Sequence, residues 1–261
     1  MRWTILWAIL AICNGQIYAD DLQNPENWQP KLRAYIEKDI KLAGPIEINP
    51  FKKKVIILIG TTGLLVSMHP SVPIKTIKQV IAYAKANPNK LNIGSAGTGG
   101  LGHLAGELFK LQTGVVFTHV PYKGSGPVMT ALLSGEVDSS FSSLVPSIPH
   151  VKAGRLRAIA VTTPKRSRAL PDVPTIGETV PGYDVTHWYG MWGPKGIPKE
   201  IVTRWNQEVA KVLNTDAMKK WLAQEGLEPA GGPPEEFLNR IRSDVDKWKK
   251  VVKAANIRLA N

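Results

Sequence analysis

The feature that most constrains this chain is a regular alternation of short apolar runs with helical segments between residues 55 and 161, punctuated by glycine and proline. Val55-Ile56-Ile57-Leu58-Ile59 is a continuous apolar run ending at Gly60, the pattern of a strand buried on both faces. Leu64 to Met68 reads as another strand, and Thr76 as the cap of a helix with apolar positions Ile77, Val80, Ile81 and Ala84, stopped by Asn87-Pro88. Strands follow at Leu91 to Ile93, Val115 to Val120, Val137 to Phe141 and Leu156 to Val161. They alternate with helices over Leu101 to Leu111 and Pro127 to Leu133, and with a helical turn over Ile148 to Lys152. Such alternation predicts an α/β fold on a largely parallel sheet. His187 to Trp192 is a last strand candidate. The final third is helical, with Phe237, Ile241, Val245, Trp248 and Val252 as one apolar stripe.

Composition narrows the functional classes. The chain has 261 residues, 43% of them hydrophobic and 21% charged, enough apolar content for a sizeable core. Lys+Arg 33 against Asp+Glu 21 gives a formal charge of +12. The basic runs at Lys52 to Lys54, Lys165 to Arg168 and Lys247 to Lys253 are not interleaved with aromatics, so they read as solvated faces and no nucleic-acid partner is expected. Long-range attraction of an anionic solute is compatible with that charge. Met1-Arg2 precedes an apolar run from Trp3 to Cys13, the length of a signal-peptide core, with cleavage placed after Gly15 or Ala19. Export to the periplasm is the expectation. Cys13 is the single cysteine, which excludes a disulfide framework and a cysteine-based zinc site.

The strongest local signal is Gly94-Ser95-Ala96-Gly97-Thr98-Gly99-Gly100-Leu101-Gly102-His103, after a predicted strand and opening a helix. Glycines admit a ligand close to the backbone, and first-turn N–H groups with the helix dipole suit a carboxylate or phosphate. Gly97-x-Gly99-x-x-Gly102 also fits a dinucleotide fingerprint, but the next strand ends in Pro121-Tyr122-Lys123 without the acid that holds a ribose. A second loop, Tyr122-Lys123-Gly124-Ser125, and a third strand end with Ser142 and Ser143 place further donors at the same expected edge. His103 and Glu107 share a helix face, which points to packing at the helix start rather than to a metal. There is no His-Glu-x-x-His and no Gly-x-Ser-x-Gly elbow, and neither a cofactor nor a metal is expected. Asp244 and Asp246 read as solvated residues of the last helix, and Trp188, Tyr189 and Trp192 as core residues or a cleft wall.

From Asn49 onward the chain resembles the Bug family, the extracytoplasmic solute receptors of tripartite tricarboxylate transporters. The strings that carry the resemblance are Leu91 to Gly97, His103 to Phe109, His119 to Pro127, Gly154 to Thr162, Leu170 to Thr175, Pro181-Gly182-Tyr183, Trp188-Tyr189-Gly190 and Pro234 to Phe237, in the family's order. The resemblance implies a periplasmic-binding-protein type II-like fold, two α/β lobes around a cleft. Residues 49–119 with 190–261 would form lobe 1, and 120–189 lobe 2. It also implies a non-catalytic receptor, monomeric, for a small di- or tricarboxylate or related organic acid, serving the membrane components of such a transporter. Carried over, Ser95, Ala96, Gly97, Thr98 and Gly99, with His103 at the helix start, would face one carboxylate. Tyr122, Lys123, Gly124 and Ser125 would sit at a crossover between lobes, and Ser142 and Ser143 on the second lobe.

One departure stands out. The family opens with a further βαβα stretch carrying a Pro-Gly-Gly loop, and nothing between Asp20 and Ile48 matches it. The expectation is an N-terminally truncated or divergent member with residues 1–19 as signal peptide, 20–48 as a divergent segment, and an incomplete first lobe. Two other readings stay open: an enzyme using the glycine-rich loop for a phosphorylated or dinucleotide ligand, and a remnant that binds nothing.

Overall fold

In the computed structural model of the chain, residues 53–194, 196–224 and 226–257 are described. The expected signal peptide with Cys13, the divergent segment 20–48 and the first residues of lobe 1 lie outside them. The elements in order are β1 (Lys53–Met68), α1 (Ile77–Ala86), β2 (Asn92–Ser95), α2 (Leu101–Thr113), β3 (Thr118–Pro121), α3 (Ser125–Ser134), β4 (Ser139–Ser143), α4 (Leu144–Lys152) and β5 (Arg157–Val161). They are followed by β6 (Thr186–Pro194), α5 (Lys199–Leu213), α6 (Asp216–Gln224), β7 (Glu228–Pro229) and α7 (Pro234–Ala254).

The described chain divides into two units. The larger holds Thr61–Trp188, Trp221–Glu228 and residues 240–257, and the smaller holds residues 53–60, Tyr189–Lys220 and Pro229–Asn239. One division falls between Trp188 and Tyr189. No division falls at 120, because Val120 lies inside β3 and pairs with Gly94 of β2. The glycine-rich loop and the later candidate loops therefore belong to one unit, where the sequence had suggested two lobes.

In the larger unit the strand order is β3-β2-β4-β1-β5. β2 runs parallel to β3 on one side and to β4 on the other, while β1 is antiparallel to both β4 and β5. The sheet is thus mixed rather than largely parallel. The two expected strands at residues 55–59 and 64–68 are one 16-residue strand, β1. It enters the larger unit at Thr61 and pairs Leu64 with Ser143, at the end where the parallel strands finish. It therefore reaches the opposite end at Met68, from which α1 leads back into β2. β6 and β7 also pair with β1.

One buried cluster of this unit lies on the face of the sheet covered by α1 and α2, with Leu64, Val66, Ile93, Phe109, Phe117, Phe141 and Tyr183 among its residues, and others form around Leu132 of α3 and Leu144 of α4. Tyr183 is fully buried, and its hydroxyl donates to the Ala105 carbonyl at 2.9 Å, which fixes α2 from its far side. Burial pushes the Tyr183 phenol well above its ordinary pKa, so it stays a donor. Arg157 clips the 70–74 segment by donating to the carbonyls of Val72 (2.6 Å), Ile74 (3.0 Å) and Pro70 (3.3 Å).

The apolar stripe expected on α7 is rotated. Val245 and Val252 are exposed, whereas Asp244 and Val251 are buried. Asp244 is not solvated: it accepts from Trp188 Nε1 at 2.8 Å and pairs with Lys247 at 3.0 Å and Arg240 at 3.5 Å. A carboxylate with such partners can occupy an inward position that the apolar spacing assigned to a neighbour. In the smaller unit, Phe237 is buried and its ring lies 5.3 Å from that of Trp192.

Gly102 sets the start of α2. A Cβ there would fall well inside contact distance of the Phe141 carbonyl oxygen, so only glycine lets the first turn of the helix lie against β4. Gly102→Ala is expected to destabilise the larger unit by roughly 1–3 kcal/mol. Gly126→Ala, with open space at its Cβ position, is expected to change stability by no more than about 0.5 kcal/mol. Urea unfolding of both variants checks the contrast.

Candidate functional site

Parallel pairing of β3, β2 and β4 brings their carboxyl ends to one edge, and each leads at once into a helix: α3, α2 and α4 respectively. None of the three helices has a side-chain cap. Their cap positions are Gly124, Gly100 and Ser143, and no side-chain hydrogen bond is made from any of them. The first N–H groups of an α-helix have no partner inside it, and the helix dipole leaves that end positive. The edge thus gathers three helix starts with donors suited to an anion. Beside them, β5 ends at Val161, where Thr162 is fully engaged: its Oγ1 donates to the Val185 carbonyl at 2.7 Å and accepts from the Leu64 N–H at 2.8 Å.

The β2–α2 loop is built from the inside. Ser95 is 2% exposed, and its Oγ accepts the Gly97 N–H at 3.3 Å and shares a 2.6 Å hydrogen bond with His119 Nε2. The Gly99 N–H donates to His103 Nδ1 at 3.0 Å. The two imidazoles stack with centroids 3.8 Å apart and 8° between planes. Gly97 (φ 141) and Gly99 (φ 77) take backbone conformations that a side chain disfavours, which explains the glycine spacing. With the proton of His103 on Nε2, that nitrogen faces Glu107 Oε1 at 3.6 Å, and Lys110 pairs with the same carboxylate oxygen at 2.7 Å.

The β3–α3 loop lies alongside. The Tyr122 N–H donates to the Ser95 carbonyl at 2.9 Å and the Gly124 N–H to the Ala96 carbonyl at 3.2 Å, extending the β2–β3 pairing into both loops. The Tyr122 hydroxyl is turned to Glu136 at 2.7 Å, and desolvation together with that hydrogen bond raises its pKa to about 12. Lys123, Ser125, Ala96 and Thr98 are exposed. On β4, the Ser142 and Ser140 hydroxyls bond each other at 2.6 Å, while Ser143 is half-buried at the start of α4.

The structure therefore brings the expected residues to one edge of one unit but gives them different tasks. Thr98, Lys123, Ser125 and Ser143 keep side chains at the open edge. Ser95, His103 and Tyr122 spend theirs on internal partners, and Ser142 bonds its neighbour. His119 and Lys110 were not among the expected residues, and Glu107 was expected only to pack with His103 at the helix start. The register pairs Ile93 with His119, which sets His119 two residues back from the level of Ser95 on the neighbouring strand. The i, i+4, i+7 spacing of His103, Glu107 and Lys110 was the sequence signal for the rest. The Ser95–His119 contact has the length of a nucleophile–base pair, but a serine so buried, with its oxygen engaged by Gly97 as well, is held for structure. Among the described residues no group of three or more His, Cys, Asp and Glu side chains is placed to hold a metal, and no helix is long and apolar enough to cross a membrane.

Residues 47–257 match the sequence pattern of TctC, described as the tripartite tricarboxylate transporter family receptor. A curated relative from Pseudomonas sp. (strain P51), the UPF0065 protein in the tcbD-tcbE intergenic region, is 37% identical over 180 residues, covering 68% of this chain and 54% of its own. A solved R. palustris protein with adipate shares 39% identity and a TM-score of 0.73, covering 80% of this chain and 71% of the other. MatC from Rhodopseudomonas palustris with bound malate shares 26% identity and a TM-score of 0.67, covering 77% of this chain and 69% of the other. The chain spans 54% of the length of the first of its curated relatives and 62% and 55% of the next two.

Burial, the facing His103 and the Lys110 charge hold the His119 pKa down to about 4, and burial lowers that of His103 against the pull of Glu107. Each imidazole therefore takes up a proton more readily in the unfolded chain than in the folded one. The folded state is fully favoured above the unfolded value of about 6.5 and loses this advantage as pH falls from there toward 4. The midpoint of thermal unfolding is expected to drop between pH 7 and pH 4.5, and to drop less in His119→Gln. Scanning calorimetry across that range checks it.

Proposed function

The chain belongs to the tripartite tricarboxylate transporter receptor family, and on that premise we propose that it captures a small organic acid and does not transform it. The observation that carries this reading is the single edge where three uncapped helix starts meet, α2 at the glycine-rich loop, α3 beside it and α4 at Ser143. Such an edge offers N–H donors and positive dipole ends to a carboxylate without needing a fixed cation. Thr98 and Ser125 add hydroxyls from the two exposed loops, and Lys123 adds a positive charge close by. The overall charge of +12 favours arrival of an anion. A dicarboxylate or related acid is the proposed ligand class, in keeping with the adipate and malate held by the two R. palustris neighbours.

We further propose a periplasmic location, with delivery to the membrane components of a tripartite transporter by a monomeric receptor. The absence of turnover follows from the chemistry of the edge. The Ser95–His119 pair is committed to shaping the loop, and donors without a general base hold an acid and leave its bonds intact.

Thermal unfolding of the full chain against adipate, malate, citrate, acetate and an uncharged amide control tests the reading. A ligand that binds only the folded state adds about 2.7 kcal/mol at a hundredfold excess over Kd. That corresponds to a rise of roughly 5–10 °C for a chain of this size. The expected result is such a rise with at least one dicarboxylate and none with the amide. A cooperative transition unmoved by every acid, or consumption of any of them, would contradict it.

A further inference from the structure

We propose that His103 is a positioning residue for the acid-binding loop, backed by the His119 ring: it turns the Gly99 N–H inward and so decides which donors face the ligand. This rests on the reading of the β2–α2 loop as the carboxylate grip. The geometry assigns the roles. His103 Nδ1 stands 3.0 Å from the Gly99 nitrogen, so it must be unprotonated, and the ring proton sits on Nε2 toward Glu107. His119 lies flat against that ring at 3.8 Å and bonds Ser95 Oγ, which accepts the Gly97 N–H in turn. The two glycine amides that could otherwise point outward are thereby held, Gly99 by His103 itself and Gly97 by the Ser95 hydroxyl that His119 braces. The donors that this loop leaves to an acid are those of the first turn of α2 and the Thr98 hydroxyl.

The arrangement works only with a neutral His103. A second proton would go onto Nδ1 and place two N–H donors face to face at Gly99. The groups facing the pair are Glu107, which favours the His103 cation, and Lys110, which opposes a charge on either ring. Each imidazole also opposes the protonation of the other across the stack. Acid is therefore expected to loosen the loop through His103 before the helices unfold.

The test uses the full chain labelled with 15N. Imidazole shifts report the tautomer of His103, and amide hydrogen exchange reports the hold on Gly99. The expected results are an Nε2–H tautomer at pH 7 and a Gly99 amide that titrates together with His103, with a midpoint below 6.5. Asparagine places an acceptor where Nδ1 stands and glutamine places one where Nε2 stands. His103→Asn should keep Gly99 exchange within about twofold of the native rate, and His103→Gln should speed it about tenfold, the usual consequence of losing one such bond. An Nδ1–H tautomer in the native chain, or equal Gly99 exchange in the two variants, would overturn the proposal. The tautomer needs no variant, so a variant that fails to fold does not remove the test. Adipate affinity measured alongside separates the two readings. If adipate binds, it should weaken tenfold or more in His103→Gln and hold within about threefold in His103→Asn. If neither adipate nor malate binds the native chain, the carboxylate-grip reading is in question, and the tautomer and exchange still decide the role of His103.

Discussion

The parallel pairing of β2 with β3 and β4 is the constraint on which the rest of the site depends. Parallel neighbours must end on the same edge, and each must be followed by a crossover that starts there. Three helices therefore begin side by side with their unpaired N–H groups at one end of one sheet. Had β3 been antiparallel to β2, its loop would lie at the opposite edge and the two glycine-rich segments would never meet. The antiparallel β1 serves this arrangement too. It enters where the others finish and ends where β2 can begin.

Within that frame the loop is shaped by side chains that turn away from solvent. Ser95 accepts the Gly97 N–H with His119 bonded behind it, His103 accepts the Gly99 N–H, and the Ala96 and Ser95 carbonyls are taken by the neighbouring loop. A loop so tied has little freedom left to lose when a ligand arrives, which is the physical meaning of preorganisation. Gly102 plays its part from below. Its missing side chain lets α2 start against the Phe141 carbonyl, which brings the first-turn donors down to the level of the strand ends.

Much of this was legible in the sequence, and what was not has a consistent cause. The helix boundaries of α1 and α2 follow from local signals, Thr76 capping one through the Gln79 N–H and Gly114 closing the other in a left-handed conformation. The glycine-rich loop was visible because its residue types are locally demanded. The antiparallel course of β1 was not visible, since strand direction is a property of the whole sheet and leaves no mark on a five-residue apolar run. The assignment of both loops to one unit was missed for the same reason: only the β2–β3 register places Val120 beside Gly94. The inward Asp244 was missed because its partners, Trp188 and Lys247, stand 56 residues away in one case and on its own helix in the other. The internal commitment of Ser95 required His119, a residue with no local signature.

We propose that one edge of one unit, built by three parallel strand ends, receives the acid. An amide-resolved NMR titration of the full chain with adipate locates the bound acid. The largest shifts are expected on Thr98, Leu101, Gly102, Ser125, Gly126 and Leu144, at the starts of α2, α3 and α4. Saturable shifts confined elsewhere, such as the groove between α2 and α7 lined by Leu108, Leu111, Lys250 and Val251, would contradict it.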